Sequence, residues 1–386
     1  MKIIVAPDSF KGVLSARQAA KAMAAGAKKA LERHCRAKEI CILEMPVADG
    51  GEGTAEALAA NSNAVRISAD ASDPLGNRIK APYWLDPSSA SAFIDVASAS
   101  GLPLVAPRQR NPMDTSTFGT GMLIADAISR GARHIFIGAG GSATTDGGCG
   151  ALQALGAIFL DHDGIPIRQP ARGRDMPRIH SADTTRLDER LKDTEIIIAC
   201  DVTAPLTGDR GAARVFAAQK GASPEEIETL ENGLLSLQAI FLRHTGGRLP
   251  EGSGAAGGFA AGMAALAGAR ICRGATLVLD HLNFRDSIRS AALIITGEGK
   301  ADRQTLMGKA PYEVMAEARL AGVPAVLLAG SIQDKSLLLA GGFAAATDIN
   351  SGTHAGEDPL DPDVASRRLN EAAYRTVVSR LVKQML

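Results

Sequence analysis

Three times in this chain a short run of β-forming residues gives way to glycine and acid. The stretches are Val47-Ala48-Asp49-Gly50-Gly51-Glu52-Gly53-Thr54, Gly138-Ala139-Gly140-Gly141-Ser142-Ala143 running on to Asp146-Gly147-Gly148, and Thr296-Gly297-Glu298-Gly299-Lys300-Ala301-Asp302. Strands that alternate with helices imply a parallel sheet covered by helices. In such open α/β sheets, ligands sit in the loops at the carboxyl ends of the strands. Glycine lets backbone approach a ligand closely, and neighbouring carboxylates hold a hard cation or take a proton. The combination points to an enzyme working on a phosphorylated substrate with a metal ion.

The alternation begins at once. Ile3 to Ala6 reads as a strand, Ser15 to Arg33 as an Ala-rich helix with Ser15 as N-cap, and Ile40 to Met45 as the next strand, followed by a short helix near Ala55 to Ala60. From Val65 to Val96 apolar and polar residues alternate between the turns Asp73-Pro74-Leu75-Gly76-Asn77 and Asp86-Pro87-Ser88-Ser89, which is antiparallel hairpin chemistry. A helix over Thr120 to Arg130, strands at His134 to Ile137 and Glu195 to Ala199, and a helix from Pro224 follow. Short apolar runs return at Ala292 to Ile295, Ala325 to Ala329 and Ala344 to Ala346, the mark of strands buried on both faces, and Ala365 to Leu386 reads as an amphipathic helix. With 386 residues, two domains are expected. The fold class is therefore α/β. One parallel-sheet domain is built from both chain ends (1–72 and 285–386), and a mixed α/β domain (73–284) is inserted between them.

Lys+Arg and Asp+Glu balance at 42 each, so no net positive field exists to draw nucleic acid or an anionic membrane. The five cysteines (Cys35, Cys41, Cys149, Cys200, Cys272) form no C-x-x-C pair and read as buried free thiols in a reducing compartment. Met1-Lys2 runs straight into a strand, with no signal-peptide pattern, and no apolar stretch reaches the ~18 residues of a membrane span. The expectation is a soluble, cytoplasmic protein acting on small molecules, without nucleic-acid or membrane partners. A homo-oligomer stays open.

Gly138 to Ala143 fits G-x-G-x-x-A after a strand, so Gly140, Gly141, Ser142, Gly147 and Gly148, with Gly297 and Gly299, are the candidate nucleotide-phosphate loops. The competing reading of these glycines is tight helix–strand packing. No Walker A motif occurs. The acids Asp8, Asp49, Asp146, Asp201 and Asp302, with Glu52 and Glu298, all fall at or just past expected strand ends. Phosphoryl transfer needs acids to hold Mg²⁺, one acid to accept the hydroxyl proton, and cations for the moving charge. Asp146, Glu298, Asp302 and Glu52 are the candidate Mg²⁺ ligands. Asp201 and Asp49 are the candidate bases, and residue order does not choose between them. Lys11 and Lys309 are the candidate catalytic cations. Asp8, Ser9 and Lys11, with Arg210 and Lys220, form the candidate set for binding a small acid. None of the seven histidines has metal-ligand spacing, and all read as structural or surface residues.

Taken in order, these blocks resemble the bacterial two-domain glycerate kinases along nearly the whole chain. The resemblance rests on Ala6-Pro7-Asp8-Ser9-Phe10-Lys11-Gly12, Pro46 to Thr54, Gly140-Gly141-Ser142-Ala143-Thr144 with Asp146-Gly147-Gly148, Cys200-Asp201-Val202, Gln219-Lys220-Gly221-Ala222, Gly254 to Gly258, and Thr296-Gly297-Glu298-Gly299 with Asp302, Gln304 and Gly308-Lys309. It implies phosphorylation of D-glycerate with ATP as co-substrate, Mg²⁺ dependence and 2-phosphoglycerate as product. It also implies a site in the cleft between a flavodoxin-like domain and an inserted α/β domain. Thr145 stands where the family has Asn, and Lys300 where it often has Arg. Two other readings follow from the residues. A nicotinamide-dependent oxidoreductase of a small hydroxy acid rests on Gly138 to Ala143, and a sugar-acid-binding regulator would bind without turnover.

Overall fold

The computed structural model describes residues 1–34, 40–60, 62–351 and 357–382. In chain order the strands are β1 (Lys2–Val5), β2 (Cys41–Glu44), β3 (Val65–Ser72), β4 (Arg78–Asp86) and β5 (Ser91–Asp95). Next come β6 (His134–Gly138), β7 (Ile158–Leu160), β8 (Ser181–Asp183), β9 (Glu195–Ala199) and β10 (Arg270–Cys272). The last are β11 (Leu293–Ala301), β12 (Ala325–Ile332) and β13 (Ala345–Asp348). The chain divides into two compact units: Met1–Asp49 with Glu56–Asn61 and Ala275–Leu386, and Gly50–Ala55 with Ser62–Gly274.

The first unit is built on a five-stranded, wholly parallel sheet in the order β13-β12-β11-β1-β2. Counted along this unit alone, the order is the flavodoxin-like one, whose winding reverses between β1 and β11. Ile3, Ile4 and Val5 are fully buried, as are Ile294, Ile295 and Val326, which explains their unbroken apolar character. Helix Ala16–His34 turns Ala19, Ala20, Met23, Ala27, Ala30 and Leu31 inward at helical spacing. It packs on helix Pro362–Val377 through Leu369, Ala372, Ala373 and Val377. Gly26 lies against the Asn370 carbonyl where no Cβ has room, so the two backbones approach closely.

β11 departs from expectation. It does not stop at Ile295 but runs to Ala301, pairing Glu298 with Ala329 and Lys300 with Ser331 on β12. The third glycine–acid stretch is therefore strand, and Gly297 is small because Leu328, Met23 and Phe10 close over it.

The second unit holds a mixed six-stranded sheet, β10-β9-β6-β5-β4-β3, in which β3, β4 and β5 pair antiparallel and the rest parallel. β7 and β8 form a separate antiparallel pair. Helix Pro224–His244 begins with a Ser223–Glu226 capping box and buries Leu230, Leu234, Leu237, Ile240 and Phe241. The boundaries differ from those drawn on the sequence. β3 pairs with β4 along its length, so 65–72 belongs with the inserted unit. Residues from Ala275 onward join the first unit. Gly50–Ala55 joins the second, where Gly50 O accepts from Gly140 N (3.1 Å) and Asp95 accepts from the Gly53 and Ala55 amides (2.9 and 3.0 Å).

Cys149 and Cys200 are buried, whereas Cys41 is exposed and Cys272 half-buried; Cys35 and His354 lie outside the described residues. Among the described residues no helix is long and apolar enough to cross a membrane.

Candidate active site

The loops leaving β1 and β2 are stitched to β11 and to each other through backbone. Asp8 N donates to Gly297 O (2.8 Å), and Val47 N donates to Pro7 O (2.9 Å). This carries Asp8, Asp49 and Glu298 into one pocket of about 400 Å³, which Ser9, Lys11 and Lys309 also line. The pocket opens at the carboxyl ends of the strands, at the point where the sheet reverses its winding.

Asp8 is 6% exposed. Burial, then the charge of Asp49, pushes its pKa up to about 8, against the pull of the Ser9 amide and Lys11. Burial likewise raises Glu298, although Thr305 Oγ1 donates to Oε1 (2.6 Å) and Lys309 Nζ stands 3.6 Å from Oε2. Lys309 is held there as the residue that opens helix Ala310–Leu320. Lys11 is exposed at the pocket mouth. Asp302 does not line the pocket: it caps the turn Arg303–Met307, accepting from Gln304 N (2.8 Å), and pairs with Lys300 (3.4 Å).

The remaining candidates belong to the second unit. Asp146 is fully buried and accepts from Thr117 N (2.7 Å), Thr117 Oγ1 (2.8 Å), Gly148 N (3.1 Å) and Gly150 N (3.2 Å). Those four donors occupy both oxygens, so the expected metal ligand is instead the knot of its own loop. Lys220 is also buried, donating to Ser142 Oγ (3.0 Å) and Thr144 O (2.5 Å), and burial brings its pKa down to about 8 despite the charge of Asp146. It grips the loop rather than a substrate carboxylate.

The glycines of that loop have the same explanation. A Cβ on Gly140 would strike Gly51, one on Gly147 would strike Leu237, and one on Gly148 would press on Phe259. Gly141 takes φ +72° with Ala97 close by. Tight packing is the physical reason for these four, and the dinucleotide reading loses its support. Ser142 is engaged by Lys220. Asp201 follows β9 half-buried, with Oδ1 accepting from Gly274 N (3.0 Å). Glu52 and Arg210 are exposed. Thr145 is buried with no hydrogen bond to its hydroxyl, and nothing in the structure explains the hydroxyl there.

Among the described residues no cluster of three or more Asp, Glu, His or Cys is arranged to hold a metal ion. Sequence reasoning passed over Asp95, which organises residues 53–55, and Thr305, which orients Glu298. It also passed over Asn350 at the end of β13, which lines the pocket. The lone acid closing the apolar run Ala92-Phe93-Ile94 was the available signal for Asp95; Thr305 and Asn350 had none.

The comparisons with known proteins agree with this architecture. A sequence model of the glycerate kinase family matches residues 3–381. The glycerate 2-kinase of Escherichia coli K12 is 41% identical over 336 residues, 86% of each chain. The glycerate kinase of Bacillus subtilis 168 is 40% identical over 364 residues, 94% of this chain and 93% of its own. A crystal structure from Salmonella typhimurium LT2, provisionally named glycerate kinase 2, superposes with a TM-score of 0.86 at 39% identity over 100% of both chains. The chain belongs to the glycerate kinase family and is a kinase, a phosphotransferase with an alcohol group as acceptor.

Proposed function

We propose that this kinase transfers the γ-phosphoryl group of ATP to D-glycerate and releases 2-phosphoglycerate. One observation carries the reading: Asp8, Asp49 and Glu298 share a pocket with Lys11 and Lys309 at the reversal point of a parallel sheet. The name of the Escherichia coli relative, glycerate 2-kinase, supports the position of transfer.

In this mechanism Ser9 and Lys11 hold the substrate carboxylate. Asp8 accepts the proton of the attacking hydroxyl as its oxygen bonds to the γ-phosphorus and the bond to the ADP oxygen breaks. Lys309, positioned by Glu298, balances charge on the transferring group. Mg²⁺ fits the donor set in the manner usual for kinases, on one or two carboxylates completed by phosphate oxygens and water. Asp49, which lines the pocket and whose charge bears on Asp8, is the residue that would hold it. When bound, the ion neutralises the triphosphate. Glu298 and Asp302 are each already matched to a lysine. Asp201 is kept as a second candidate for proton transfer.

The test is purified protein with ATP, Mg²⁺ and D-glycerate, followed by phosphorus NMR of the product. A phosphomonoester on carbon 2 with stoichiometric ADP is expected. ADP release without a glycerate ester, or an ester on carbon 3, would overturn the acceptor or the position respectively.

A further inference from the structure

The pocket is longer than its acidic end requires. Across the sheet edge from β1 to β13 lie three strand spacings, ~14 Å in all. A three-carbon acid spans little more than one. Chemistry changes along that edge. The loops of β1 and β2 contribute Asp8, Lys11 and Asp49 and strand β11 contributes Glu298, whereas Ile349, Pro359, Leu360 and Ala365 line the far end beside β12 and β13.

Between the two ends the pocket is lined by Gly299 and Lys300 of β11 and by Gly330 and Ser331 of β12. Gly299 on β11 and Gly330 on β12 stand opposite each other in register, between the Glu298–Ala329 and Lys300–Ser331 pairs. A Cβ on Gly330 would crowd the Gly299 carbonyl at 2.5 Å. That clash requires glycine at 330, and both glycines line the pocket. At the apolar end Asn350 is locked in place. Its Nδ2 donates to Gly330 O (2.7 Å), and its Oδ1 accepts from Arg368 Nη1 (2.5 Å). Arg368 is 3% exposed and is anchored in turn on Glu357 (3.1 Å).

We propose that this apolar end, walled by Ile349, Pro359, Leu360 and Ala365 beside the fixed Asn350 amide, is the nucleoside subsite of the phosphoryl donor. The Gly299–Gly330 floor then carries the phosphate chain toward Lys309. A glycerate molecule offers no apolar surface to cover such a wall, whereas a purine does. The inference rests on the ATP-dependent reading above, and it places donor and acceptor at opposite ends of one pocket.

Binding without turnover tests it. Calorimetry with Mg-ADP is run on wild type, Ser331→Trp, which adds bulk to the pocket lining on β12, and Leu360→Ala, a mild loop truncation that preserves folding. ADP affinity is expected to fall at least ~10-fold in Ser331→Trp and ~3-fold in Leu360→Ala, with tripolyphosphate affinity and the KM for D-glycerate unchanged. Unchanged ADP affinity in both variants overturns the subsite, as does an equal loss of tripolyphosphate affinity. A protein that binds ADP in this Ser331-sensitive way yet leaves D-glycerate unphosphorylated keeps the subsite and loses the acceptor instead.

Discussion

Asp8 and Asp146 look alike in the sequence, each an acid just past a strand. Their surroundings separate them. Asp146 is saturated by four donors, while Asp8 has the Ser9 amide at 2.6 Å and the charge of Asp49 for company. Changing Asp8 to Asn should therefore cut turnover by at least ~10²-fold with an unchanged melting temperature. Asp49→Asn should raise the Mg²⁺ requirement as well, and near wild-type kinetics in either variant would remove that residue from the chemistry. Lys220→Met should act on stability, by about 2 kcal/mol at pH 7 in urea unfolding, because it leaves two buried acceptors, Ser142 Oγ and Thr144 O, without their donor. Its pH dependence follows from a folded pKa of about 8 set against 10.5 for an ordinary lysine. Between those values the unfolded chain holds a proton that the folded chain has released, so wild-type stability rises with pH there. Below pH 8 both states are protonated and the contribution is flat. The methionine variant should lack that rise, and unfolding curves at pH 7, 8, 9 and 10 would reveal it.

At the level of elements, the same glycine does two different jobs. Gly299 faces a pocket, whereas Gly140 faces Gly51 of its own unit. Gly140→Ala must push backbone aside and should cost about 2 kcal/mol of stability, typical of overpacking, with nucleotide affinity intact in the fraction that folds. A weakened ADP affinity with normal stability would return that loop to the nucleotide site. β11 teaches a related lesson. Glycine and acid usually end a strand, yet here β12 supplies a partner as far as Ile332, and the ladder outweighs the local preference.

Across the whole molecule, each unit carries its own hydrophobic core, and the candidate pocket is lined entirely by residues of the first. A ligand that binds the folded state alone stabilises it, by ~2.7 kcal/mol at a hundredfold excess over Kd. Mg-ADP should accordingly raise the first unit's resistance to urea, read by hydrogen exchange at Ile294 and Val326. Unchanged exchange at saturating ADP would move the nucleotide elsewhere. Residue order alone was enough for the α/β class, the parallel sheet from both chain ends, the antiparallel opening of the insert and the helix from Pro224, because periodicity and helix-start signals are local. It also marked Asp8, Asp49, Glu298, Lys11 and Lys309. Folding alone decided that these five meet while Asp146 and Lys220 are buried in packing, and that Asn350 and Arg368 shape the far wall. Those outcomes depend on strand order and on which backbones touch, and contacts between residues hundreds of positions apart leave no periodic trace in a chain.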